Sequence, residues 1–326
     1  MLLRFLNFPF AVCMSAASAA AHAPAQVRRA TLIGLLAVLC WSSTVGLMRS
    51  ISEGLGALGG AAVLYSVSAV LVLLVQGVPS RAQLRAASPI YLIGGGLLFA
   101  LYEMCLSIAI GLADGRTQSL ELGTINYLWP CLTIVFAVLL GQQRTRWWLW
   151  PGVALCLCGL VLVVGADAAP AAQALPWWQS LAHNMAANPL AYALAFGAAL
   201  MWPAYSLLAR RFGGGLNGVG LFLLLSSSLL WAQWLALDTA PMQWSWGLLA
   251  QVLAVGALTA LGYSCWEHGI QHGNLAVMAA GSYFTPVLSA LWASVWLAVQ
   301  PGLPFWQGVV LITAGSLVCW GATRHR

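Results

Sequence analysis

The sequence predicts an all-α membrane protein with ten transmembrane helices, arranged as two inverted-topology five-helix repeats around a central cavity. Hydrophobic residues make up 61% of the 326 residues and charged residues only 6%, whereas soluble domains are roughly 25% charged. Apolar runs of about 18 residues or more recur along the chain, and each is a candidate transmembrane helix. A pattern in the first half of the chain also returns in the second half, which indicates an internal repeat.

The repeat is clearest around two prolines. Tyr127 and Pro130 match Tyr283 and Pro286 at an offset of 156 residues. Further matches at this or a slightly larger offset pair Trp150 with Trp306, Gly152 with Gly308, Gly159 with Gly315, Gly165 with Gly321, Trp41 with Trp202, Arg49 with Arg210, and Tyr102-Glu103 with Trp266-Glu267. Five helices per repeat is an odd number, so the second repeat must run in the opposite orientation. Inverted repeats of this kind build many secondary transporters, whose substrate site lies near the membrane midplane between the halves.

The hydrophobic pattern places ten spans in order along the chain. They are residues 30–48, 59–78, 90–111, 120–140 and 147–165 in the first repeat (29–165), and 189–209, 217–237, 246–266, 275–298 and 304–322 in the second repeat (189–322). The loop at 166–188 contains Trp177 and Trp178, which suit a short amphipathic segment at the outer interface. Residues 323–326 form a short cytoplasmic C-terminus.

The first 28 residues allow two interpretations. An apolar run after Arg4 and the alanine-rich residues that follow resemble a secretory signal. The alternative, which we favour, is a disordered cytoplasmic tail that starts at Met1 or at Met14. Cleavage of a signal would place Arg28 and Arg29 outside, against the orientation that the other arginines indicate.

Arginine placement predicts the orientation, since the chain has no lysine. With the N-terminus inside, only Arg49 and Arg116 fall in outer loops, and the other arginines lie on the inner side, as the positive-inside rule expects. An even number of spans then puts both termini on the inner, cytoplasmic side of the membrane. The arginines are scattered between apolar spans instead of forming a patch, which argues against nucleic-acid binding.

Two acidic residues inside or beside the spans are candidates for function. Glu103 lies eight residues before the end of the third span, roughly 12 Å deep, and an acid at such a depth costs about 2.5–3.5 kcal/mol to insert. We therefore expect Glu103 to face the bundle interior and contact the transport path. Glu267 lies at the inner end of span eight, where it could contact the path or be merely interfacial. The alternative for both is an acid that is hydrogen-bonded between helices and holds the halves in register.

Aromatic residues cluster on the corresponding helices one, three, four, six, eight and nine. They are Trp41, Tyr102, Tyr127, Trp129, Trp202, Tyr205, Trp266 and Tyr283. A cavity lined by these rings would favour flat, largely apolar solutes, although rings can also serve helix packing alone. Other tryptophans, such as Trp147 and Trp246, are expected in interfacial belts.

Three prolines are predicted to kink helices, namely Pro130, Pro203 and Pro286. Pro130 cannot donate to the carbonyl of Asn126, four residues earlier, and lipid cannot satisfy that carbonyl. Asn126 lies on the same helix face and offers an amide donor and acceptor. Its side chain could bind a carboxylate or an amine of a substrate, or it could cap the freed carbonyls.

The motifs resemble a known family. Asn126-Tyr127-Leu128-Trp129-Pro130, together with the segment from Trp266-Glu267-His268 to His272-Gly273-Asn274, is similar to the aromatic amino-acid exporters of the drug/metabolite transporter superfamily, with EamA-type repeats. The resemblance covers residues 29–322. It implies a ten-helix inner-membrane protein that expels phenylalanine, tyrosine, tryptophan and toxic compounds such as methyl viologen. It also implies a central cavity lined by helices one, three, four, six, eight and nine. One departure concerns the Gly-Glu that ends the fourth helix in many EamA repeats, because Gly141 is followed here by Gln142.

Other functions are weaker interpretations. A broader drug or metabolite exporter would use Glu103 to hold a cation, whereas a sugar-phosphate carrier would need cavity cations that the sequence does not place. An intramembrane enzyme would need a convergent catalytic set, and the His268–His272 spacing beside Glu267 lacks the order and third ligand of a zinc site. We expect no cofactor and no metal, an aromatic amino acid as the small-molecule substrate, contact with membrane lipid, no nucleic acid, and a monomer or weak homodimer.

Overall fold

The computed structural model describes residues 24–141, 145–164, 183–237, 241–273 and 275–323. These residues are helical apart from short connections, and no strand occurs among them, so the predicted all-α architecture is confirmed there. The predicted tail up to residue 23, the interfacial segment around Trp177 and Trp178, and residues 324–326 lie outside the described part of the chain.

The described residues of the first half form eight α-helices and one π-helical segment. These are α1 (Pro24–Ser42), α2 (Thr44–Leu55), α3 (Ala57–Gln76), the short α4 (Arg81–Ala86), a π-helical segment (Ile90–Gly95) that runs into α5 (Gly96–Gly111), α6 (Arg116–Asn126), α7 (Trp129–Leu139) and α8 (Leu149–Val164).

The second half repeats this order without a bend in its first helix. Its helices are α9 (Pro189–Phe212), α10 (Val219–Ala236), α11 (Trp246–His272), α12 (Leu275–Ser282), α13 (Thr285–Trp296) and α14 (Leu303–Thr323).

Six helices in the described residues are long and apolar enough to cross a membrane: α3, α5 with its π-helical segment, α9, α10, α11 and α14. Together α1 and α2 make a seventh candidate, since they join at a bend of 41°. The apolar helix α8 is shorter. The remaining two predicted spans, 120–140 and 275–298, are each divided into two short helices.

The break in the first half lies just before Pro130. Helix α6 ends at Asn126 and α7 begins at Trp129, so the expected kink is a complete interruption. The amides of Tyr127 and Leu128 bridge it by donating to carbonyls three residues back, at 3.0 and 3.1 Å. Pro130 becomes the second residue of a new helix, where its missing N–H removes no helical hydrogen bond.

The break in the second half has the same geometry. Helix α12 ends at Ser282 and α13 begins at Thr285, with Pro286 as its second residue. The amide of Phe284 donates to the carbonyl three residues back at 3.2 Å. By contrast, α9 continues through Pro203 without interruption. Proline therefore starts new helices at the two matching positions and lies inside a helix at the third.

Helices pair across the two halves of the chain. The most extensive contacts join α8 with α14, α1 with α11, α3 with α10, and α5 with α9. Each pair takes one helix from residues 24–164 and one from residues 189–323. The halves are therefore interleaved, and the centre of the bundle lies between them.

Glycines bring α8 and α14 into backbone contact. A Cβ atom placed on Gly159 would lie 2.6 Å from the carbonyl oxygen of Gly308, and one on Gly152 would lie 3.0 Å from that of Gly315. Small residues allow such close approach in lipid, where packing rather than hydrophobic exclusion drives helix association. These four glycines are two of the pairs that define the sequence repeat.

An ion-pair network ties helix ends together at one end of the bundle. Glu53 lies 3.2 Å from Nε of Arg49 and 2.9 Å from Nη2 of Arg116. Arg49 also donates to the carbonyl of Ala113, and Arg116 to the carbonyl of Leu297, at 2.8 and 3.2 Å. The network thus joins the ends of α2, α5 and α13 to the start of α6.

Replacing Gly159 by alanine is expected to lower the melting temperature of the detergent-solubilised protein. The added methyl group would meet backbone atoms of α14, and overpacking of this kind costs about 1–3 kcal/mol. Gly321→Ala is the matched control, because nothing lies within 4 Å of a Cβ placed there. If both variants have the melting temperature of the wild type, α8 and α14 do not pack this closely.

Candidate functional site

A small buried cavity lies where the two halves meet. Helices α1–α3, α5–α7, α9, α11 and α13 contribute its wall. Seven residues that the sequence predicts to bind substrate lie on this wall: Trp41, Tyr102, Glu103, Asn126, Tyr127, Trp129 and Trp202. The structure therefore brings residues from distant parts of the sequence to one place, while their contact with a substrate stays a prediction.

Trp202 is the centre of the aromatic cluster around the cavity. Its ring centroid lies 5.7 Å from that of Trp41, 4.8 Å from Tyr102, 6.3 Å from Trp129 and 5.6 Å from Tyr263. The Trp41 and Trp129 contacts are edge-on, the geometry that the quadrupoles of aromatic rings favour. The indole of α9 thus links rings from α1, α5, α7 and α11.

Three predicted site residues do not line the cavity. Tyr205 and Trp266 stand one ring away, with Tyr205 5.4 Å from Trp202 and Trp266 5.2 Å from Trp41 between centroids. Tyr283 is buried in a second hydrophobic cluster, apart from these rings. Its counterpart Tyr127 does line the cavity, so the site is asymmetric although the sequence motif is repeated.

Glu103 faces the interior, as its depth in the span predicts, and is 3% exposed. The hydroxyl of Tyr263 on α11 donates to its carboxylate. The backbone carbonyl of Glu103 accepts from Ser107 at 2.6 Å and from Tyr65 at 3.5 Å. The acid is thus held by a contact between the two halves and also lies on the cavity wall, so both functions considered for it have a structural basis.

Two other acids are buried away from the cavity. Glu267, which could have been interfacial, is 7% exposed on α11. Glu121 on α6 is 1% exposed and accepts a hydrogen bond of 2.6 Å from the hydroxyl of Tyr192. Glu121 was not predicted as a functional residue, although a glutamate inside the predicted span 120–140 could have indicated it.

Three polar atoms of wall residues have no hydrogen-bond partner among the described residues. They are Nε1 of Trp41, Oδ1 of Asn126 and Oγ1 of Thr285, and all three atoms are buried. The amide nitrogen of Asn126 donates to the hydroxyl of Tyr102 at 3.3 Å. The side chain of Asn126 thus lies on the cavity wall beside a wall tyrosine, and its contact with a substrate stays a prediction.

Several wall residues were not predicted from the sequence. Among them, Tyr65 and Tyr263 donate hydrogen bonds to Glu103, and Thr285 has an unpaired hydroxyl. Tyr263 precedes Trp266 by three residues on α11, so the side-chain spacing of a helix could have suggested it. Thr285 adjoins Pro286, but nothing in the sequence marks Tyr65 on the second predicted span.

The cavity in this conformation is small, at about 40 Å³, whereas small-molecule sites measure roughly 300–1,000 Å³. The aromatic side chains themselves occupy the centre. A ligand of ordinary small-molecule size therefore fits here only if rings move aside or the halves separate.

Metal ligands are not assembled in the described residues, which contain no group of three or more His, Cys, Asp or Glu side chains able to hold a metal ion. The rings of His268 and His272 stack with centroids 4.7 Å apart. The histidine pair singled out in the sequence thus forms a ring contact on the last turns of α11.

Comparisons with known proteins cover nearly the whole chain. The profile of the EamA-like transporter family matches residues 28–165 and 189–321. The aromatic amino acid exporter YddG of Escherichia coli (strain K12) is 40% identical over 298 residues, covering 91% of this chain and 99% of the relative. The protein of that name from Salmonella typhimurium (strain 14028s / SGSC 2262) is 40% identical over 301 residues, covering 92% and 99%. One solved crystal structure matches with a TM-score of 0.60 at 26% identity, covering 89% of this chain and 96% of the other.

Replacing Tyr263 by phenylalanine is expected to lower the melting temperature, because the buried carboxylate of Glu103 loses a donor from the other half. Leaving a buried hydrogen-bond acceptor without its partner costs about 1–3 kcal/mol. Tyr65→Phe is the matched control, since its bond is 3.5 Å long and goes to the backbone. Equal melting temperatures for the two variants would contradict a stabilising contact between Tyr263 and Glu103.

Proposed function

Because the chain belongs to the EamA-like transporter family, we propose that it exports aromatic amino acids across the bacterial inner membrane by alternating access. Phenylalanine, tyrosine, tryptophan and their analogues are the substrates. Two relatives with 40% identity over almost their full length carry the name aromatic amino acid exporter. The observation that carries the proposal is the buried cavity walled by indole and phenol rings.

Ten membrane crossings account for the helices. The six long apolar helices supply six crossings and the bent pair α1–α2 supplies a seventh. The apolar helix α8 and the broken pairs α6–α7 and α12–α13 supply the other three. Broken helices at membrane depth are tolerated where they are buried in protein or line a cavity, and residues at both breaks lie on the cavity wall.

Contacts that exchange between the halves support a two-fold relation between the repeats, and an odd number of crossings in each repeat would make that relation an inverted one. In the sequence repeat Trp41 matches Trp202, and Tyr102 matches Trp266. Trp41 and Trp202 contact each other. Trp41 also contacts Trp266, and Trp202 makes the equivalent contact with Tyr102. A two-fold relation requires this reciprocity, in which residue i meets j and j meets i. Residues 29–165 and 189–322 form the two repeats in this proposal.

The glycine contacts of α8 and α14 obey the same rule. Gly152 packs on Gly315 while Gly159 packs on Gly308, and Gly152 matches Gly308 as Gly159 matches Gly315. The helix pair α1–α11 likewise corresponds to α9–α5. Two conformations that exchange the roles of the halves would open the site to opposite sides of the membrane.

The ion-pair network supplies a closure on one side. Arg116 belongs to the first half and donates to the carbonyl of Leu297 in the second half. Arginine bias assigns this end of the bundle to the outside and both termini to the cytoplasm. In the outward-open state the bond between Arg116 and Leu297 breaks.

The site lies within one chain, which is consistent with a monomer or weak homodimer, and the proposal includes no cofactor.

A second candidate function is export of flat organic cations such as methyl viologen. The position of Glu103 on the cavity wall favours it, because a carboxylate there would attract a cation stacked on the rings. Amino acids and cations can be compared directly in the same transport assay.

Counterflow in proteoliposomes tests the substrate. Vesicles loaded with unlabelled phenylalanine, tyrosine or tryptophan should accumulate labelled phenylalanine, whereas vesicles loaded with an aliphatic amino acid should not. Accumulation driven by methyl viologen and not by amino acids would favour the second candidate and contradict the first.

The aromatic wall is tested in the same assay. Trp129→Ala and Tyr127→Ala should each reduce counterflow by about two- to tenfold, because each ring contact contributes about 0.5–1.5 kcal/mol beyond its buried area. Trp246→Ala, whose side chain is 85% exposed, should retain wild-type transport. Full activity of both cavity variants would remove these rings from the substrate path.

Single cysteines test the inverted topology. Ala82 on α4 and Pro241 before α11 lie in equivalent loops of the two halves and are exposed. In intact cells a membrane-impermeant maleimide should label Pro241→Cys, and it should label Ala82→Cys only after permeabilisation, with the unsubstituted chain as the blank. Labelling of both from the same side would contradict inversion.

A further inference from the structure

Within the part of the chain that the structure describes, the unpaired buried polar atoms are concentrated on the cavity. Among the described residues, five buried side-chain nitrogen or oxygen atoms have no hydrogen-bond partner. Three of them belong to wall residues Trp41, Asn126 and Thr285, and the other two are the hydroxyl of Tyr205 and Nε1 of Trp234. Because buried polar groups are nearly always paired, such atoms call for an explanation.

The three wall atoms have complementary chemistry. The indole nitrogen of Trp41 can only donate, the amide oxygen of Asn126 can only accept, and the hydroxyl of Thr285 can do either. Asn126 is 5% exposed and Thr285 1%. A ligand that fits all three must offer both acceptors and donors, as the zwitterionic head of an amino acid does.

Both kinds of helix end adjoin the cavity wall. Thr285 is the first residue of α13, and Trp129 is the first residue of α7, so the N-termini of two helices meet the cavity wall. The free amides and positive dipole end of a helix N-terminus favour an anion. Asn126 lies instead at the last turn of α6, and Glu103 adds a carboxylate to the wall.

We propose that these atoms bind the head of the substrate, with Trp41 Nε1 and Thr285 Oγ1 donating to its α-carboxylate and Asn126 Oδ1 accepting from its α-ammonium. The rings of the cavity then hold the aromatic side chain. This assignment rests on the proposed function and names the part of the substrate that each group recognises.

Three ligands separate the two ends of the head. Phenylalanine carries both charges, phenethylamine lacks the carboxylate and 3-phenylpropanoate lacks the ammonium. Their dissociation constants can be measured on the purified full-length protein in detergent by isothermal titration calorimetry. A hydrogen bond to a charged group corresponds to a change of roughly 10–100-fold in Kd.

Thr285→Val should weaken phenylalanine and 3-phenylpropanoate by about tenfold or more and leave phenethylamine within about twofold. Thr285→Ser, which keeps the hydroxyl, should bind all three like the wild type. Asn126→Leu should weaken phenylalanine and phenethylamine and spare 3-phenylpropanoate, and Asn126→Asp, which keeps an acceptor, should retain phenethylamine.

Trp234→Phe is the matched control, because it removes an unpaired indole donor that is not on the cavity, and it should bind all three ligands unchanged. Equal weakening of phenylalanine and phenethylamine by Thr285→Val, or failure of Thr285→Ser to restore binding, would overturn the assignment. A wild type that binds none of the three ligands would instead contradict the proposed function. A wild type that binds phenylalanine while the variants show no selectivity contradicts only the head-group assignment.

Discussion

The demand that every backbone amide and carbonyl be satisfied away from water governs this structure. Lipid offers no hydrogen bonds, so continuous helices form wherever the chain faces it. The chain departs from this rule at Tyr127–Leu128 and at Tyr283–Phe284, where a new helix begins just before a proline. Tyr127, Leu128 and Tyr283 are buried, whereas Phe284 is exposed. Each turn is next to a residue of the cavity wall, Trp129 in the first half and Thr285 in the second, so these two interruptions of the helical spans adjoin the site.

The aromatic cluster explains how the site can be closed without a substrate. Trp202 contacts rings from four other helices, and each contact contributes about 0.5–1.5 kcal/mol. A substrate ring that enters the cluster exchanges one set of ring contacts for another of similar strength. A transporter must return to its starting conformation without a substrate. Because the rings pack on one another when no substrate is bound, this step does not cost much free energy.

The contacts between the halves are of two kinds, which suits a protein that changes conformation. Helices α8 and α14 touch through glycine backbones, a contact too close to slide without separation. The polar contacts around Arg49, Glu53 and Arg116 are partly exposed, and ion pairs of this kind contribute little, about 0–1 kcal/mol each. The α8–α14 contact can serve as a fixed support while the polar contacts around Arg49, Glu53 and Arg116 break and form.

The sequence by itself determined the all-α membrane architecture, the positions of the six long apolar helices, the two matching prolines and seven residues of the cavity wall. These follow from hydropathy, from helical length and from the repeat, which are local properties of the chain. The tertiary structure decided what distant residues do to one another. It paired Tyr263 with Glu103, placed Thr285 on the wall and buried Tyr283 elsewhere, although Tyr127 and Tyr283 occupy equivalent positions in the motif. Such pairings depend on how helices from the two halves cross, and no periodicity within a single helix records which neighbour its inner face will meet.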